Sequence, residues 1–301
     1  MSVPWGPTET AAELRAPTDT DDKYRRGVVG IRTGSEQYPG AAVLGVEAAW
    51  RTGVGMVRYL GPDRPTGLVL HRRPETVTSG GRVQAWLIGS GTDAAARPPG
   101  EVSALRGILS RPEPVVVDAG ALDLVADGSR EGGVRILTPH DREHDRVREA
   151  IGLAPLGPDA GDRRLDAAVE TARRTGAVVV VKGARTVVAE PGGFRVVVTQ
   201  DGTGWLATAG TGDVLAGVLA AVVAGAAARE ERAGVHTSAP DSADGGLEPW
   251  ARRAAAAVWL HQRAGVRAAS RAAGGATKGG PVTALDVAEA LPAVVAEVLS
   301  G

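Results

Sequence analysis

The 301-residue chain contains no cysteine. That excludes disulfides, thiolate metal sites and cysteine nucleophiles, and it fits a reducing compartment. Aromatic residues are scarce, with one Phe, three Tyr and six Trp, so a core has to be assembled from Val, Leu, Ile and Ala. Neither sign of charge prevails: 34 basic residues stand against 35 acidic ones, and the net charge is −1. Mixed charge without a basic tail or stripe argues against nucleic acid and against a membrane surface as partners. The apolar run Val214–Ala228 has only 15 residues, short of the ~18–20 that a membrane span needs. Residues 1–22 are polar, carry acids and prolines, and lack an apolar stretch, so they do not read as a signal peptide. They are expected to be a flexible N-terminal segment before one domain over 23–301. The bulk reading is a soluble, cytoplasmic α/β enzyme with enough chain for a large core.

What is present is organised around Gly202–Gly217, GTGWLATAGTGDVLAG, in which five of sixteen residues are glycine. Asp213 stands where this loop gives way to the uncharged run Val214–Ala228, which reads as a buried helix. A helix N-terminus offers unpaired N–H groups and partial positive charge to an anion. Glycines at 210 and 212 let that backbone come close to a ligand. Asp213 alone could be a simple helix cap. Beside an anion site, its carboxylate could instead take a proton from a hydroxyl while the loop holds a transferring phosphoryl group. Gly202–Ala207 also fits the dinucleotide pattern G-x-G-x-x-A, but Thr208–Gly212 separates it from the helix it should open.

Strand patterns at Gly27–Ile31, Gly53–Leu60, Arg82–Ile88, Pro114–Val117, Val134–Leu137 and Ala177–Val181 alternate with helical ones at Ala41–Arg51, Asp141–Ile151 and Asp162–Thr175. Thr186–Glu190 and Arg195–Thr199 read as a hairpin around Pro191-Gly192-Gly193. Ala251–Ala269 and Val287–Leu299 close the chain as helices, and residues 229–250 read as a surface loop. This alternation predicts a mainly parallel sheet covered on both faces. Several strand ends carry chemistry. Gly89-Ser90-Gly91-Thr92-Asp93-Ala94 is a second G-x-G-x-x-A, weakened as a dinucleotide site by Pro98-Pro99, which should break the helix it needs. Asp118 ends a strand, where it is as readily a turn cap as a site residue. Thr138-Pro139-His140-Asp141-Arg142-Glu143 reads as a helix start with Thr138 as cap, leaving His140 and Glu143 unexplained. Lys182-Gly183 ends a buried strand, and an ammonium there calls for a counter-charge such as a nucleotide phosphate.

Leu206–Gly217, LATAGTGDVLAG, resembles the signature of the ADP/ATP-dependent NAD(P)H-hydrate dehydratases, L-A-T-G-G-T-G-D-V-L-A-G, with Ala209 replacing a glycine. The likeness extends to Gly34–Ala42, to Gly89–Asp93 as a shortened G-P-G-L-G-T-D, to VVVDAG around Asp118, to Thr138–Glu143 with Asp141-Arg142 in place of Pro-Gly, to Lys182–Thr186 and to VWLH at 258–261. The resemblance implies a ribokinase-like three-layer α/β/α sandwich. It implies repair of hydrated nicotinamide cofactors, in which ADP, or ATP, phosphorylates the ring hydroxyl of the S-epimer of NADHX or NADPHX and phosphate is then eliminated. A ribokinase-like kinase for a vitamin precursor is the alternative. By resemblance Ala41, Gly89, Gly91, His140 and Asp213 meet the hydrate, with Asp213 catalytic. Lys182, Gly183, Ala184, Arg185, Thr186, Gly210, Thr211 and Gly212 meet the nucleotide, and Glu143 stands near a Mg²⁺. The family also implies a homo-oligomer, a tetramer, and a separate NAD(P)H-hydrate epimerase as pathway partner. His261 reads as a packed helix histidine.

Overall fold

The computed structural model describes residues 2–3, 5–125, 132–157, 160–199, 203–234, 249–274 and 278–301. Nine strands among them form one sheet: β1 (Ser2–Val3), β2 (Val28–Arg32), β3 (Met56–Tyr59), β4 (Ala85–Ile88), β5 (Val115–Val117), β6 (Arg135–Leu137), β7 (Val178–Val181), β8 (Thr186–Ala189) and β9 (Arg195–Val198). Their spatial order is β1-β9-β8-β7-β6-β5-β4-β2-β3. From β3 across to β7 every pairing is parallel, and β8 runs antiparallel to both neighbours. The expected hairpin therefore extends a parallel sheet rather than forming one of its own.

Because side chains alternate along a strand, each one feeds two cores. Val29, Ile31, Leu87, Val116, Ile136 and Val180 face one side, where they meet α2 (Gly40–Thr52), α7 (Thr211–Ala233), α8 (Pro249–Ala272) and α9 (Ala284–Ser300). Val28, Ile88, Val115, Val117, Val179 and Val181 face the other, against α4 (Pro99–Leu109), α5 (Asp141–Ala150) and α6 (Arg163–Thr175). The result is the expected three-layer α/β/α sandwich. α7 is long and apolar enough to cross a membrane, yet most of it is buried inside the protein. Small residues let it sit deep: a Cβ at Gly217 would overlap the Gly45 carbonyl of α2.

Several elements differ from the sequence expectations. Within the first 22 residues, Pro7–Glu13 forms α1, held by Trp5 Nε1 donating to Thr10 Oγ1 at 3.0 Å. Buried Glu13 pairs with Arg252 at 2.7 Å, which ties this segment to α8. Pro98-Pro99 does not break α4 but begins it, Pro98 as cap and Pro99 in the first turn, where no intrahelical N–H is needed. A further helix, α3 (Asp63–Arg72), had no clear apolar period and is fixed through buried Glu47, which accepts from Arg51, Arg72 and Arg73. Of the loop expected over 229–250, Arg229–Ala233 is the last turn of α7 and Pro249–Trp250 the first of α8. Residues 235–248 lie outside the described residues, as does Gly202.

Candidate active site

The candidate site lies at the carboxyl ends of the parallel strands, the usual ligand side of an open α/β sheet. Four neighbouring strands each deliver one polar side chain there: Ser90 after β4, Asp118 after β5, Thr138 after β6 and Lys182 after β7. They form one hydrogen-bonded group. Lys182 Nζ donates to Asp118 Oδ1 at 2.8 Å, Thr138 Oγ1 to the same oxygen at 2.7 Å, and Ser90 Oγ to Oδ2 at 2.7 Å. Burial alone would raise the Asp118 carboxyl, but the Lys182 ammonium and the two hydroxyls hold it below the usual carboxylate range. Burial likewise opposes the charge on Lys182, and Asp118 and Glu143 more than restore it.

Thr138 is thus not the cap of α5. The cap is His140, whose Nδ1 accepts from the Glu143 amide at 3.3 Å while Glu143 Oε2 accepts from the His140 amide at 2.9 Å. The reason is competition: the Thr138 hydroxyl is engaged by Asp118, so the helix starts two residues later. His140 pairs with Lys182 in an isolated parallel bridge, through the Lys182 amide and the Pro139 carbonyl at 2.8 Å. Glu143 Oε2 stands 3.7 Å from Lys182 Nζ.

α7 opens at Gly210, which adopts φ 89° as its cap. A side chain there would be strained and would strike Leu44. Thr211 anchors the loop by donating to the carbonyls of Leu206 at 2.8 Å and Thr208 at 2.9 Å. Gly212 lies against Lys182: a Cβ on it would be 3.6 Å from Nζ. Asp213 follows in the first turn, half-buried. Burial first, then the charge of Asp118, push its carboxyl up to about 7, with Lys182 pulling the other way. A carboxylate in that range can accept a proton near neutral pH.

A cavity of about 240 Å³ opens beside this cradle. Lys182, Gly183, Ala184 and Thr186 form one wall, Thr211 and Gly212 another, and Leu206, Val258, His261 and Gln262 close it. Gly210 lies behind it, as the cap. Arg185 does not line it; its guanidinium is exposed and lies 3.8 Å from Asp162. His261 is a buried helix residue, bonded to the Thr211 backbone, with no partner for its Nε2 among the described residues, and it also borders the cavity. The remaining expected residues gather on the other flank. Gly91, at φ 65°, is so close to Ala41 that a Cβ on it would overlap the Ala41 methyl group and approach the Tyr38 carbonyl. Gly89, at φ 98°, passes equally close to the Asp118 carbonyl and Ala121. The structure therefore brings Gly91 against Ala41 and Gly89 against Asp118, and gathers the cavity residues around Lys182.

Sequence reasoning missed three contributors. Ser90 and Thr138 were visible only as loop and cap residues. Arg164, on α6, donates to the carbonyls of Val181 at 3.0 Å and Lys182 at 2.6 Å and pairs with Asp141 at 2.6 Å, so it fixes the Lys182–Thr186 turn from below. No sequence signal marks it, because its partners are distant in sequence and most of them are backbone carbonyls. No cluster of three or more His, Asp or Glu able to hold a metal ion occurs among the described residues. A Mg²⁺ bound with a nucleotide needs only one or two carboxylates plus phosphate oxygens. Glu143, the residue expected near a Mg²⁺, faces the Lys182 ammonium at 3.7 Å.

Residues 29–280 match the family model described as NAD(P)H-hydrate dehydratase. The bifunctional NAD(P)H-hydrate repair enzyme Nnr of Mycobacterium tuberculosis is 40% identical over 228 residues, covering 72% of this chain and 45% of that protein. The Corynebacterium glutamicum enzyme of the same name is 38% identical over 221 residues, covering 69% of this chain and 37% of its own length. The chain thus spans about half the length, or less, of the curated relatives it matches. Among solved structures, an ADP/ATP-dependent NAD(P)H-hydrate dehydratase from Bacillus subtilis superposes with TM-score 0.73 at 25% identity, over 99% of this chain and all of that one. A hydroxyethylthiazole kinase from Pyrococcus horikoshii shares the fold more distantly, with TM-score 0.59 and 16% identity over 98% of this chain and 95% of its own. By the extent of the family match and the identity to these relatives, the chain belongs to the NAD(P)H-hydrate dehydratase family.

Proposed function

We propose that the protein repairs hydrated nicotinamide cofactors, converting the S-epimer of NADHX or NADPHX to NADH or NADPH at the expense of ADP, with ATP as the other possible donor. The observation that carries this reading is Asp213: a carboxyl raised to about 7, in the first turn of α7, one residue from a glycine that abuts a half-buried lysine. A ring hydroxyl is a poor leaving group. Asp213 takes its proton, the hydroxyl oxygen forms a bond to the terminal phosphorus, and the bond from that phosphorus to the bridging oxygen breaks, releasing AMP from ADP. The ring nitrogen's lone pair then expels phosphate with the C–O electron pair, and loss of the neighbouring C5 proton restores the reduced ring.

The remaining residues have supporting roles in this scheme. The amides from Gly210 to Gly212 hold the transferring phosphate, as helix N-termini do. Lys182, Gly183, Ala184 and Thr186 bind the nucleotide, and Arg185 contributes its backbone only, since its side chain points to Asp162. Ala41, Gly89, Gly91 and His140 receive the hydrate. A bound Mg²⁺ would neutralise phosphate charge, and Glu143 would hold it. A separate epimerase would supply the S-epimer, and the enzyme would work in the cytoplasm as a homo-tetramer.

The test is to mix the protein with NADHX, ADP and Mg²⁺ and to follow recovery of reduced-ring absorbance alongside phosphate release. Equal amounts of both are expected. A vitamin-precursor kinase would instead leave NADHX untouched and accumulate a stable phosphorylated product, and that result would overturn the proposal. Rates with ATP in place of ADP, and with NADPHX in place of NADHX, decide donor and substrate preference.

A further inference from the structure

Asp118 is almost fully buried, with 2% of its surface exposed, and does not itself line the cavity that Lys182 borders. Both its oxygens are committed. Oδ1 accepts from Lys182 and Thr138, and Oδ2 accepts from Ser90. Three strands other than its own thus fix one carboxylate in one orientation. Three carboxylates compete for the Lys182 ammonium: Asp118 from β5, Glu143 from α5 at 3.7 Å, and Asp213 from α7, whose charge acts on it. Only Asp118 forms a hydrogen bond with it among the described residues.

We propose that Asp118 is a positioning residue, the reserved counter-ion that holds Lys182 on the cleft floor and keeps it from closing onto Asp213. An unpaired buried ammonium is costly, so Lys182 must pair with some carboxylate when no phosphate is present. Pairing with Asp213 would neutralise the base that the reaction needs. Pairing with Asp118 leaves Asp213 free and leaves the ammonium at the wall of the cavity, ready for phosphate. Ser90 and Thr138 hold Asp118 in place for this purpose, since a carboxylate with saturated oxygens cannot swing after the lysine. The role assigned to Lys182 here rests on the dehydratase reading; the pairing does not.

The experiment compares wild type with Asp118→Asn, and with Ser90→Ala and Thr138→Val, which keep the charge. Three quantities are read: ADP affinity by calorimetry, turnover of NADHX, and the ¹⁵N signal of the Lys182 ammonium, whose slow proton exchange reports a buried, paired group. In Asp118→Asn the ammonium signal is expected to shift as Lys182 re-pairs with Asp213, and turnover to fall at least about tenfold. ADP affinity is expected to hold or to rise several-fold, because a negative charge near the phosphates has gone. A purely structural role would lower affinity and turnover together, and that outcome would overturn the proposal, as would an unchanged ammonium signal. Should Asp118→Asn not fold, Ser90→Ala and Thr138→Val are expected to broaden the signal and slow turnover at unchanged ADP affinity; no effect from either overturns it. Failure of the wild type to turn over NADHX counts against the dehydratase reading alone, since the ammonium signal and ADP affinity need no hydrate.

Discussion

Lys182 donates to Asp118 at 2.8 Å and, among the described residues, makes no hydrogen bond to Asp213, although Asp213 feels the charge of both. One lysine thus separates two carboxyls. Asp118, burial notwithstanding, is kept below the usual range by its partners, while burial and Asp118 raise Asp213 to about 7. Pairs of titratable groups pushed apart in this way mark acid–base sites.

The first expectation concerns Asp213 as base. It acts only when deprotonated, so kcat/KM should rise about tenfold per pH unit below 7 and level off above it. Asp213→Asn should lower kcat by roughly 10²–10⁴ and leave ADP affinity near wild type. Measured pH–rate profiles and calorimetry check both, and a variant with near-normal turnover would remove Asp213 from the mechanism.

The same shift has a consequence for stability. Between the unperturbed value of 3.8 and about 7, the folded state binds more protons at Asp213 than the unfolded chain, so this contribution is lost as pH rises through 7. Buried His144 and His261 act oppositely. Burial lowers both from 6.5 to about 4, so the unfolded chain binds more protons in that window and stability falls as pH drops. Asp213→Asn should therefore melt above wild type at pH 8, with the difference shrinking towards pH 4. A pH-independent difference in Tm would refute this sign.

Gly212→Ala is expected to fold normally, because the added Cβ meets Lys182 Nζ at 3.6 Å, an ordinary contact. It occupies the approach of a phosphate, however, so the KM for ADP should rise about tenfold or more with Tm little changed.

Arg164→Met removes the guanidinium that ties the carbonyls of Val181 and Lys182 to Asp141. The Lys182–Thr186 turn loses its brace, and the KM for ADP should increase several-fold while that for NADHX stays close to wild type. Equal loss on both substrates would show that Arg164 supports the whole fold instead.

Gly217→Ala places a methyl group within the Gly45 carbonyl of α2. Overpacking a backbone–backbone crossing should cost about 2–4 kcal/mol, read by denaturant unfolding.

The layered sandwich was legible because the strands are short valine-rich runs and the helices between them are periodic. The glycine cradle was legible because few arrangements put Gly210, Gly212 and Asp213 ahead of an uncharged helix. Thr138 misled because a hydroxyl before a proline and an acid reads locally as a cap, and only the fold reveals that Asp118 takes that hydroxyl. Pro98-Pro99 misled for the mirror reason: prolines that stop one helix can begin another. Ser90 and Arg164 carried no signal, since their roles depend on partners 28 residues away and on backbone carbonyls. α1 could not be read from its own composition, because its stability comes from α8 through Glu13.

Gly45 and Gly217 lie where α2 and α7 meet, within the second turn of each helix. α2 issues from the loop expected to receive the hydrate, and α7 from the phosphate cradle. With no side chain between them at that seam, the two helices are in direct backbone contact, and the loops they carry are set at a spacing fixed by that contact.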